Sequence, residues 1–145
     1  MMLLAILLLS DVVAAELPRS DLVSEDHTHE WSVIDREKAE IMLLDQEQTA
    51  DYSDGENTYK TVLIRGSEPD RDGSVYFVDF LVAIDCERSM LAPIGYWEPK
   101  LQNETPKLRT DEIGKFVQAN DKADEKVLTA VFQHICGPKW KFEPR

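Results

Sequence analysis

The stretch Val75–Ser89, VYFVDFLVAIDCERS, decides the fold of this chain. It is a long run of β-branched and aromatic residues, the composition of a strand. It closes on an aspartate, a cysteine and two further charges. Side chains alternate faces along a strand. Tyr76, Val78, Phe80, Val82, Ile84 and Cys86 therefore share a face that carries no charge. Val75, Phe77, Asp79, Leu81, Ala83 and Asp85 share the other. The uncharged set reads as the core side. Cys86 then points inward at the strand end, where a second segment of chain can reach it.

That second segment lies near the C-terminus. In DKADEKVLTAVFQHICGPKW, residues Ala123, Val127, Leu128, Val131, Phe132 and Ile135 recur at helical spacing. Asp121 is a capping residue, and Asp124 and Glu125 suit the positive first turn. Gly137 and Pro138 stop the helix. Cys136 stands at that end. One cysteine closes a strand and the other closes a helix that packs on the same sheet face. Oxidation to a Cys86–Cys136 disulfide is expected in an exported chain. Closing a loop of about 50 residues contributes roughly 4 kcal/mol in the chain-entropy account. The alternative is two buried free thiols. A metal or redox role for the cysteines has no Cys-x-x-Cys pattern behind it.

Working outward, further strands read at Trp31–Arg36, Ile41–Asp45, Asn57–Gly66 and Ser89–Trp97. Turn chemistry fills Gln46–Glu56 and the stretch Ser67–Ser74, SEPDRDGS. The expected fold class is α+β: an antiparallel β-sheet of about five strands, one C-terminal α-helix packed on one face, and one disulfide as a staple. Val75–Asp85 is expected at the centre of the sheet, in a hairpin with Thr58–Arg65.

The chain has 145 residues, 43% of them hydrophobic and 30% charged, which suits one globular domain. Its net charge of −12 argues against nucleic acid and against anionic membrane surfaces as partners. The apolar run Met2–Leu9 is shorter than the roughly 20 residues of a membrane-spanning helix. With Val13-Ala14-Ala15 after it, the pattern is that of a signal peptide cleaved before Glu16. The expected organisation is a signal peptide over 1–15, a flexible polar leader over 16–30 and a single domain over 31–145. No transmembrane helix is expected after cleavage, and the expected location is periplasmic or secreted.

These marks together resemble the surface-adhesin protein E-like domains of Gram-negative bacteria. The resemblance rests on Trp31-x-Val33, on Asp85-Cys86-Glu87-Arg88 at a strand end, on the aromatic-bearing strand that follows, and on Ile135-Cys136-Gly137 closing the helix. It covers about Trp31 to Gly137. It implies a small exported protein with a helix on an antiparallel sheet, and a cell-envelope or adhesin-like role with an envelope or surface protein as partner. It carries over no binding residue.

Sites for chemistry are sparse in the sequence. EDHTHE, Glu25–Glu30, sets His27 and His29 two apart, and His-x-His grips zinc or copper where a third ligand approaches. A solvated polar leader is the plainer reading of the same residues. PDRDGS, with Asp70, Asp72 and Gly73, is a turn: a calcium loop needs a later glutamate and flanking helices. Asp79 and Asp85 lie about 20 Å apart on an extended strand, too far to act as the acid-base pair of roughly 5–10 Å that glycosidases use. They read as acidic surface. His134 reads as a boundary residue of the helix. No nucleophile elbow, phosphate loop or His-Glu-x-x-His occurs, so the expectation is a non-enzymatic binding module without a cofactor. Met90, Ala92, Ile94 and Tyr96 read as the core set of their strand, which leaves Trp97 as the candidate exposed aromatic for binding. The alternative for Trp97 is burial under the loop Glu98–Arg109. Two other functions stay open: a periplasmic metal-binding protein using His27 and His29, and an exported enzyme with an unrecognised site.

Overall fold

β4 (Thr58–Pro69) and β5 (Val75–Asp85) form the long hairpin at the centre of the sheet, paired from Lys60↔Ile84 out to Pro69↔Val75. The computed structural model describes residues 19–37, 40–69, 71–98 and 111–144. The proposed signal peptide lies outside the described residues. The hairpin turn is tighter than the sequence suggested, because Ser67 and Pro69 remain in β4. Asp72 accepts hydrogen bonds from the Ser74 amide and hydroxyl, and Gly73 takes the positive φ of 85° that the reversal needs. The described part of this stretch is a turn.

The sheet is antiparallel throughout. β1 (Trp31–Glu37) pairs with β2 (Glu40–Asp45), which pairs with β4; β5 pairs with β6 (Met90–Trp97). Two strands of two residues each complete it. β3 (Tyr52–Ser53) pairs with the start of β4, and β7 (Val117–Gln118) pairs with the start of β6. The described sheet thus has seven strands in the order β1-β2-β4-β5-β6-β7, with β3 beside β4. The expected count of about five corresponds to the long ones. Two-residue strands have too little periodicity to register in a sequence.

One helix, α1 (Glu125–Cys136), packs on the even-numbered face of β5. A 3-10 turn, Lys122–Asp124, leads into it, and Asp121 caps that turn by accepting from the Ala123 amide. Val131 and Phe132 are buried against Leu44, Val62, Val82 and Ile84. Burial of a side chain as large as Phe132 contributes about 1.5–3 kcal/mol. The tail then folds back. Trp140 stacks on Phe132 at 4.5 Å, and its indole donates to the Ser89 hydroxyl. The Cys86–Cys136 disulfide is formed, with Cα atoms 5.6 Å apart. Cys86 itself is exposed rather than inward-pointing, because it lies one residue past the end of β5 and the helix reaches it at the margin of the core. Among the described residues no helix is long and apolar enough to cross a membrane.

The other sheet face is not solvent. Residues 19–30, expected as a flexible leader, lie across part of it as a strap. Ser20 is buried, and Leu22 packs against Gly95, which lies opposite Leu81. Gly95 permits this approach: a Cβ there would stand 3.0 Å from a Leu22 methyl. Farther along, Tyr59, Ala83 and Ala92 are covered by Tyr52 and Phe116. Asp79 and Asp85 are therefore buried residues, not acidic surface. Asp79 receives two hydrogen bonds from Arg65 on the neighbouring strand. Asp85 is held by the Arg88 amide and guanidinium.

A bulge in β6 overturns the parity reading there. Pro93 pairs with Val82 but Gly95 pairs with Leu81, so Ile94 is the extra residue. Ala92 consequently lies opposite Ala83 on the strap face, while Tyr96 lies opposite Phe80 on the helix face. Trp97 falls opposite Asp79 and is only 7% exposed. It is a packing residue, not an exposed aromatic.

Candidate metal centre

The β1–β2 hairpin creates the site. Its register sets Trp31 opposite Asp45, so the chain just before β1 runs beside the end of β2. The Gln46 amide donates to the Glu30 carbonyl and extends that ladder by one rung. In extended chain, His27, His29 and Trp31 follow at every second position, which turns them the same way. His27 and His29 are thereby brought onto Asp45.

Asp45 is fully buried and its carboxylate is saturated. Oδ1 accepts from the amides of Glu30 (3.0 Å) and Glu47 (3.1 Å). Oδ2 meets His27 Nε2 at 2.8 Å and His29 Nδ1 at 2.7 Å. Burial on its own raises the Asp45 carboxyl. The Glu30 amide, the two imidazoles and the Glu47 amide outweigh it and hold the group below its ordinary value. The anion is the form present at neutral pH.

The three donor atoms lie within 4.8 Å of one another. Two imidazoles and one carboxylate form a borderline set suited to zinc or copper. Ligands about 2.0–2.1 Å from a tetrahedral ion stand roughly 3.3 Å apart. To admit one, the two spacings to Asp45 widen by about half an ångström and the His27–His29 spacing, which sets the 4.8 Å span, closes toward the same value. His29 Nε2 is buried without a hydrogen-bond partner. Coordination through Nδ1 leaves the ring proton at that atom, an uncompensated donor that limits affinity.

Around the site the packing is aromatic and cationic. His29 stacks on Trp31 at 4.9 Å and meets the edge of His27 at 5.1 Å. The Arg65 guanidinium lies 4.8 Å above the other partner of that stack, the Trp31 ring. His27, His29, Trp31, Arg65 and Asp79 thus form one connected run.

Of the residues singled out from sequence, His27 and His29 converge, and Cys86 and Cys136 are bridged. Trp97 belongs to neither group, and His134 is half-buried on α1. Asp45 was missed. Its signal was present: a charged residue closing the apolar strand IMLLD, one hairpin away from the histidines. Arg65 was missed because it sits within an otherwise ordinary strand.

On the helix side, the sheet face continues past α1 as a cleft of about 270 Å³. Tyr76, Val78, Phe80 and Tyr96 line it, and Asp35, Glu37, Glu40 and Glu98 edge it. Asp35 pairs with Lys126 of α1 at 3.1 Å, and Glu98 accepts from the Tyr96 hydroxyl.

Comparison of the chain with known protein families, with curated proteins and with solved structures gave no match.

Proposed function

We propose that this chain is an exported protein that binds a divalent transition-metal ion through His27, His29 and Asp45. The observation that carries the proposal is the convergence of Nε2 of His27, Nδ1 of His29 and Oδ2 of Asp45 within 4.8 Å. The residues come from two separate segments, and the strap that brings the histidines is ordered against the sheet. Three protein ligands leave a coordination position for water, the arrangement of exchangeable rather than permanently closed sites. The disulfide is consistent with export, since such bridges persist in oxidising compartments. Periplasmic location and the likeness to surface-adhesin E-like domains belong to this proposal as its setting.

Equilibrium dialysis of the purified, disulfide-bonded protein against Zn²⁺ and Cu²⁺ at pH 7 tests it. One ion bound per chain is expected, lost in His27→Ala and in His29→Ala. Absence of retained metal in the wild-type protein refutes the reading.

A second reading, an adhesion module without enzymatic activity, draws support from the cleft beside α1. Its apolar and aromatic floor with an acidic rim matches a basic segment of a partner protein by charge complementarity. Cross-linking to envelope proteins from wild-type protein but not from a Glu37→Lys/Glu40→Lys variant is the expected result. Equal capture by both removes the cleft from consideration.

A further inference from the structure

We infer that metal binding at this site fastens the strap, residues 19–30, over the second face of the sheet, so that metal occupancy governs access to that face. The inference rests on the metal-binding reading and extends it to regulation. Two of the three ligands are on the strap and the third is on β2, so an ion held by all three ties one to the other.

The rest of the strap is lightly attached. Its first part is held by buried Ser20 and by the Leu22 side chain against Gly95; the Ser20 hydroxyl accepts from the Leu22 amide within the strap itself. Its last part is held by Glu30 and the histidines at Asp45. Between these points Asp21, Ser24, Glu25 and Asp26 are exposed. Ordering such a segment costs conformational entropy at every residue, with few contacts to offset it.

Electrostatics points the same way. The strap carries Asp21, Glu25, Asp26 and Glu30 against a single basic residue, Arg19, and it closes onto a chain whose net charge is −12. Self-repulsion therefore favours opening. A divalent cation at its fastening point cancels two of those charges where the strap meets the sheet. What lies on the covered face is distinctive: Trp31, the buried Arg65–Asp79 pair, Leu81 and Trp97. Release of the strap lets solvent or a partner reach an aromatic face with a paired charge at its centre.

Linkage supplies the test. If metal fastens the strap, loosening the strap elsewhere weakens metal binding by the same factor. Leu22→Ser removes the other fastening and leaves every ligand intact. Hydrogen exchange of the purified protein is followed by mass spectrometry with Zn²⁺ and with chelator, and Zn²⁺ affinity is measured for wild type and Leu22→Ser. The expected result is slower exchange in peptides covering 19–30 when zinc is present. A zinc affinity about fivefold or more weaker in Leu22→Ser is also expected. Zinc binding with unchanged exchange and equal affinities overturns the strap inference while leaving the metal site standing. Absence of zinc binding in the wild type overturns both. Circular dichroism of Leu22→Ser confirms that the sheet is retained, so that weakened binding is read against a folded protein.

Discussion

Arg65 and Asp79 face each other on adjacent central strands and form a two-pronged ion pair, Nε to Oδ1 at 2.6 Å and Nη2 to Oδ2 at 2.8 Å, with both side chains 0% exposed. Trp31 covers the guanidinium on one side, and Phe77 lies 5.9 Å from it. A pair so completely desolvated is worth little as a net attraction, since both ions lose their hydration. Its effect appears when one partner is removed.

Asp79→Ala is accordingly expected to destabilise the protein by about 3–5 kcal/mol, because it strands a buried guanidinium. The double variant Arg65→Met/Asp79→Leu, apolar and of similar volume, should recover most of that loss. Urea unfolding of the three proteins checks this. Equal loss in the single and double variants would refute a desolvation origin.

Asp85 gives the chain a pH dependence. Burial raises its carboxyl, but the Arg88 amide and guanidinium together lower it below its ordinary value. A group whose folded pKa is depressed stabilises the fold above its unfolded value, about 3.9, and that contribution disappears as pH falls through the folded value. The Asp85 contribution should therefore be constant from about pH 7 to pH 5 and decline below about pH 4. Asp85→Asn should be less stable at neutral pH and show a shallower acid slope. Thermal unfolding between pH 7 and pH 3 measures both.

The disulfide closes a loop of 50 residues between a strand end and a helix end. Cys86→Ala/Cys136→Ala should lose roughly 4 kcal/mol. Mass spectrometry of the native, unreduced protein should show the loss of two hydrogens and no alkylation. Two readily alkylated thiols in the folded protein would contradict the pairing.

Trp140 holds the C-terminal tail to the helix by stacking on Phe132, and it links the tail to the β5–β6 turn through Ser89. The Gln133 side chain also donates to its carbonyl. Trp140→Ala should cost about 2 kcal/mol from lost apolar contact and one hydrogen bond. Trp140→Phe should keep most of the stacking and lose chiefly the bond to Ser89. Similar stability of the alanine variant and the parent protein would show that the tail is not part of the core.

The sequence by itself determined what depends on neighbours along the chain. The alternation in Val75–Asp85 and the helical spacing from Val127 to Ile135 each mark one element, its apolar face and its end. The two cysteines at those ends followed directly, and so did the hairpin from β4 to β5. What only the tertiary structure decided depends on which strand lies beside which, and in what register. One extra residue at Ile94 moved Ala92 onto the face opposite its simple parity, and Trp97, on the face that parity had left outside, is buried beside Asp79 because that face too is covered. Arg65 became the partner of Asp79 only when Lys60 through Pro69 zipped against Val75 through Ile84. His27 and His29 gained Asp45 only because β1 and β2 pair in the register Trp31↔Asp45. A one-residue slip in any of these ladders would send the same side chains to the other face. Local periodicity carries no record of that choice, because register is set by the summed packing of both faces at once.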